Sequence, residues 1–149
     1  MSKYFFLFFL IFSNYTLADI SVIDALNFGT IVIVKNTPDT SMTLFPNGAT
    51  TTRNIHVMQV GQPAELLFEG YGPGVQINVS DTGTQQPMRR VNGGNEFTIN
   101  NLIFSRTTIT TNAYGMATLK IGAQLKTSGN GLNYLDDSYS TTAEITIAY

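Results

Sequence analysis

The stretch Thr142-Ala143-Glu144-Ile145-Thr146-Ile147-Ala148-Tyr149 decides how the rest of the chain is read. Ala143, Ile145, Ile147 and Tyr149 fall on one side of an extended backbone, and Thr142, Glu144, Thr146 and Ala148 on the other. Successive side chains of a strand point to opposite faces, so this alternation predicts a strand with one apolar and one wet face. The same period recurs upstream. Ala117, Leu119, Ile121, Ala123 and Leu125 oppose Thr118, Lys120, Gly122 and Gln124, and Val75, Ile77, Val79 and Ala64, Leu66, Phe68 repeat the pattern. Phe97 and Ile99 lead into Leu102-Ile103-Phe104, where doubled apolar residues predict a bulge or bend. Ile55 with Val57 and Met42 with Leu44 are shorter strand candidates. No helical stripe interrupts them.

Turn chemistry separates these runs. Pro46-Asn47-Gly48, Gly61-Gln62-Pro63, Gly70-Tyr71-Gly72-Pro73-Gly74, Asn92-Gly93-Gly94-Asn95 and Ser128-Gly129-Asn130-Gly131 each supply a positive φ through Gly or Asn, or a fixed φ through Pro. Strands with one apolar face bury it by stacking, which predicts an all-β, immunoglobulin-like antiparallel β-sandwich. A partly closed β-barrel is the alternative. With no linker or composition break, residues 19–149 read as one domain.

Residues 1–18 read as a cleaved signal peptide rather than as part of the fold. Lys3 is the positive start, residues 4–12 are an apolar run, and Thr16-Leu17-Ala18 is a small-x-small cleavage site. That run is about half of the roughly 20 residues that span a bilayer, so no permanent membrane anchor is expected. Export to the periplasm, cell surface or medium follows. An 18-residue leader removed from 149 leaves 131 residues, enough to bury a core without staples. The chain has no Cys, so disulfides contribute nothing to that stability.

Loss of Lys3 takes Lys+Arg from 8 to 7 against 10 Asp+Glu, and the formal charge from −2 to −3. Apart from Arg89-Arg90 the basic residues are scattered, which excludes the concentrated stripe that nucleic acid requires. Catalytic constellations are equally thin. His56 is the only histidine and alternates onto the face opposite Ile55 and Val57. A metal site recruits several ligands and a general base needs an oriented partner, so His56 reads as a solvent-facing side chain. The glycines at 70, 72 and 74 precede a strand rather than a helix N-terminus, which makes them a turn and not a phosphate cradle. Asp136-Asp137 lie in a loop, where they are solvated, bind a cation, or approach Arg89-Arg90. The expectation is a protein that is not an enzyme and carries no cofactor or metal.

Several segments in order carry a resemblance. Leu26-Asn27-Phe28-Gly29-Thr30-Ile31 follows the leader, then Met42-Thr43-Leu44-Phe45-Pro46-Asn47-Gly48 and Pro63-Ala64-Glu65-Leu66-Leu67-Phe68-Glu69-Gly70. Gly115-Met116-Ala117-Thr118-Leu119-Lys120-Ile121-Gly122, a loop containing Tyr139 and the strand at 142–149 complete the set. The chain resembles domain-of-unknown-function family 4402, a group of bacterial exported proteins similar in pattern to chaperone–usher fimbrial and spore-coat-U-like subunits. It departs from the pattern at Gly122-Ala123 and at Asp137-Ser138-Tyr139-Ser140-Thr141. The resemblance implies a pilin-like sandwich and association by β-strand addition.

Two functions follow as expectations. The first is a structural or adhesive cell-surface subunit whose partners are copies of itself, a related subunit or a periplasmic chaperone. Its strand-exchange segment would hold Ile20, Val22, Ile23 and Leu26, and its C-terminal pairing face Ala143, Ile145, Ile147 and Tyr149. The second is a self-contained secreted module that binds glycan or protein through loop Tyr71, Tyr114, Tyr134 and Tyr139. Those rings also suit packing over the ends of the fold. The short reach from Asp19 to Phe28 leaves open whether the first strand pairs in its own molecule or a neighbour's.

Overall fold

A computed structural model describes residues 17–83 and 85–149. The leader at 1–16 lies outside the described residues. The described chain contains no helix, and all its strand pairs are antiparallel. The strands are β1 (Asp19–Asp24), β2 (Asn27–Ile33), β3 (Ser41–Leu44), β4 (Thr50–Arg53), β5 (Ile55–Gln62) and β6 (Ala64–Glu69). After them come β7 (Gln76–Asp81), β8 (Gln86–Met88), β9 (Phe97–Phe104), β10 (Thr108–Thr110), β11 (Ala117–Lys126) and β12 (Ile145–Ala148).

The all-β expectation is met, with the strands in three sheets rather than two. The main sheet is built on β11. Its first half, Ala117 to Ile121, pairs with β6, and Ala123 to Lys126 pairs with β3, so the partner changes at Gly122. Strand β9 pairs with β11 from Ile121 to Lys126, β8 lies outside β9, and β1 and β4 are the outer neighbours of β6 and β3. A three-stranded sheet, β10-β7-β12, and a two-stranded sheet, β2-β5, complete the fold. Strands β1 and β2 follow each other across Ala25-Leu26, and β5 and β6 across Pro63. Because β1 pairs with β6 and β2 with β5, they form one antiparallel ribbon that leaves the main sheet halfway along.

The ribbon's change of sheet divides the core. One cluster joins Leu66, Phe68, Leu119 and Ile121 of the main sheet to Ile77 and Val79 of β7 and Ile109 of β10. The other joins Met42, Leu44, Phe97, Ile99, Ala123 and Leu125 to Phe28 and Ile55 of the two-stranded sheet. The alternation in β11 places Leu119, Ile121, Ala123 and Leu125 inside, as its sequence predicts. Strand β9 does carry an irregularity, but it falls at Asn100, where Ile99 and Asn101 pair with successive residues of β11, while Leu102-Ile103-Phe104, where the sequence predicts it, pair in regular register.

Loops 36–40 and 127–132 are joined by polar bonds at the end of β11. Buried Asn36 donates through Nδ2 to Ser128 Oγ (3.1 Å), Asn130 Oδ1 (3.0 Å) and the Leu132 carbonyl (2.9 Å). Its Oδ1 accepts from the Gly129 amide (2.9 Å). Thr40 and Thr127, both buried, exchange backbone and hydroxyl bonds beside it. Asn36→Ala is expected to cost about 1–3 kcal/mol, because several partners lose their bonds where water enters poorly. Urea unfolding of residues 19–149 measures it.

Candidate functional site

Unpaired strand edges are a distinctive surface of the described residues. Strand β1 is the outermost strand on its side of the main sheet, and β2 has β5 as its one partner. Among the described residues, the outer edge of β1–β2 therefore runs unpaired along the ribbon. Strand β12 is likewise the edge of the three-stranded sheet. The opposite edge strand of that sheet, β10, follows β9 and touches β11, which puts β12 on the side of β6 and β1.

The apolar residues predicted for strand exchange occupy this edge. Ile20 stands across from Phe68, and Val22 from Leu66. Directly opposed residues share a face, so all four point toward the first core cluster. Yet Phe68 is fully buried while Ile20 is 36% and Val22 64% exposed. The core face of the main sheet thus continues past its cover. Ile23 falls at an irregularity in the pairing and is exposed, whereas Leu26 packs against both clusters. In this chain β1 pairs with its own β6.

The predicted C-terminal face divides. Ile145 and Ile147 are half-buried against the first cluster, opposite Asp81 and Val79. Ala143 precedes the strand and is exposed. Tyr149 is 77% exposed, its ring edge-on to Tyr71 at 5.1 Å. Tyr71 itself is buried, and its phenol is held above the ordinary tyrosine range by burial first, then by Tyr149 and Asp19.

Along the β2 half, the free edge opens on a cleft of about 540 Å³ between residues 26–33 and the loop at 134–139. Met88, Phe97 and Leu125 line its interior. Tyr134 stacks on Phe97 at 4.2 Å, and Tyr139 meets the same ring edge-on at 4.9 Å. Both hydroxyls are spent internally. Tyr134 donates to the Glu96 carbonyl (2.7 Å) and accepts from the Ser128 amide (2.9 Å), and Tyr139 donates to the Leu135 carbonyl (3.1 Å). Asp137 approaches Arg90 at 3.6 Å, one of the arrangements expected from sequence.

The four loop tyrosines do not form one platform. Tyr71 belongs to the first cluster, Tyr134 and Tyr139 pack on the second, and Tyr114 is 85% exposed at the turn where Asn112 caps two backbone amides. His56 is exposed and pairs across the strands with Val32. No group of three or more metal-ligating side chains occurs among the described residues. Sequence reasoning missed the walls of the cleft. Phe97 and Leu125 read as core positions, and their approach to residues 26–33 depends on where the ribbon leaves the main sheet.

A family model described as a domain of unknown function, DUF4402, matches residues 19–149. The chain belongs to this family. The matched stretch contains the whole ribbon, both core clusters and β12. No curated protein and no solved structure matches the chain.

Proposed function

We propose that this chain is an exported, non-enzymatic structural or adhesive subunit that associates by strand addition along the outer edge of β1–β2. The observation that carries the reading is the unpaired ribbon edge with Ile20 and Val22 exposed beside it and the cleft at its far half. An unpaired edge presents a row of free N–H and C=O groups that templates another strand. An added strand would bond to that row and lay every second side chain over Ile20, Val22 and the cleft. The partner is a second copy, a related subunit or a periplasmic chaperone. Main-chain pairing needs no reactive side chain, in keeping with a chain whose one histidine stands alone.

Sedimentation of residues 19–149 at rising concentration tests this. Self-association is expected, and Val22→Lys should abolish it, since an edge lysine opposes strand docking. Val22 is mostly exposed, so unfolding free energy should change by less than about 0.5 kcal/mol. A wild-type chain that remains monomeric throughout, alone and mixed with a co-expressed chaperone, overturns the reading.

A further inference from the structure

We infer that a polar groove on the outward face of the main sheet is a binding site for a neutral, hydroxyl-rich ligand, a linear oligosaccharide. The inference is independent of strand addition. The groove encloses about 500 Å³ where the ends of β9 and β11 meet loops 36–40 and 127–132. Thr98 and Asn100 flank buried Ile99, and Gln124 and Lys126 flank buried Leu125. Alternation therefore turns these four polar side chains away from the core.

They form an ordered row. Gln85 donates through Nε2 to Asn100 Oδ1 (3.0 Å), Asn100 through Nδ2 to Gln124 Oε1 (3.1 Å), and Gln124 through Nε2 to Thr43 Oγ1 (3.4 Å). Each bond runs in the same sense across the sheet. The bulge at Asn100 belongs to the arrangement, because the extra residue brings a carboxamide into line between Gln85 and Gln124. Amides fixed in this way keep their orientation when a ligand arrives.

The row leaves capacity unused. A carboxamide has two N–H donors and two acceptor lone pairs, and Gln85 uses one donor and no acceptor. The Thr98 hydroxyl, Asp39 carboxylate and Lys126 ammonium make no hydrogen bond or ion pair within the described chain, although all three line the groove with Gln85 and Asn100. One acid and one base leave the site without net charge, which disfavours an ionic ligand. Closely spaced donors and acceptors, with Pro38 the one apolar side chain of the lining, suit vicinal hydroxyls, which both donate and accept.

The walls are built before binding. Gly129 has φ +71°, and a Cβ there would lie 3.0 Å from the Asp39 amide nitrogen. Only glycine lets the second loop settle onto Asp39 in that conformation. The Asn36 carboxamide and the Thr40–Thr127 pair then hold both loops.

The test uses ¹⁵N-labelled residues 19–149 titrated separately with cellotetraose, maltotetraose and chitotetraose. At least one should produce saturable shifts in the side-chain amide signals of Gln85 and Asn100, with a dissociation constant on the order of millimolar. Asp39→Ala and Thr98→Ala, both at unburied positions, should each weaken it about tenfold while the melting temperature holds. Val22→Lys should leave the shifts intact, which separates this site from the assembly edge. Absence of saturable shifts with all three sugars overturns the inference. So does binding centred on Tyr134 and Tyr139, or binding of tetragalacturonate where the neutral sugars fail.

Discussion

Gly122→Ala is expected to remove a large part of the protein's stability at room temperature. Gly122 is the point on β11 where the neighbouring strand changes from β6 to β3. A Cβ there would lie 2.0 Å from the Leu44 carbonyl oxygen and 2.9 Å from the carbonyl carbons of Leu44 and Phe45. These are backbone atoms of a strand whose own Met42 and Leu44 are fully buried, so neither side can yield without opening the second core cluster. The cost should exceed about 4 kcal/mol, a large part of the roughly 5–15 kcal/mol that holds a domain together. Far-ultraviolet circular dichroism and one-dimensional NMR of residues 19–149 decide the matter. Gly48→Ala is the matched control, since a Cβ there meets nothing within 4 Å. It should lose only the small amount that a positive φ costs an alanine.

The second large effect concerns the division of the core. Leu119 belongs to one cluster and Leu125 to the other, and both are almost wholly buried on the same strand. Leu119→Ala and Leu125→Ala should each cost about 2–5 kcal/mol. The informative result is where that loss shows. Because β11 carries both clusters, each variant should lower one shared transition, by about 10 °C for a loss of 3 kcal/mol in a domain of this size. Tyrosine fluorescence and circular dichroism should then report the same midpoint. Two separated transitions in Leu125→Ala would show that the two-stranded sheet melts by itself.

How far this could be read from the chain varied with the burial of each strand. Leu119, Ile121, Ala123 and Leu125, or Leu66 and Phe68, announce themselves because one face is apolar and the other is not. Strand β4, with Thr50, Thr51 and Thr52 in succession, has no such contrast and lies at an edge. Strands β8 and β10 are three residues each, too short for a period to emerge. The number of sheets was hidden for a different reason. Alternation tells which way a side chain points but not which strand lies alongside, and the switch at Gly122 leaves the pattern unbroken. At Pro63, between β5 and β6, the expected turn is instead a crossing of the ribbon from one sheet to another.

The candidate sites were legible in proportion to their locality. Ile20 and Val22 could be picked out because six consecutive residues carry the edge. The cleft draws on residues 26–33, Met88, Phe97, Leu125 and 134–139, and no single stretch displays it. The polar groove was hidden in plain sight. Gln124 reads as an ordinary wet-face residue, and nothing in the sequence singles out Asn100, until the register aligns their amides.

The position of β11 in the chain also bears on how the protein is made. Strands β3, β6 and β9 all precede the strand they pair with, since β11 begins only at Ala117. A chain that emerges from its N-terminus has those three strands in hand while their common partner is still being synthesised. For that interval their backbone edges are vacant and their apolar faces uncovered, the condition under which nascent chains stick to one another. Completion of the fold is therefore a late and sudden event, governed by arrival of β11. Until then the molecule depends on its surroundings for protection.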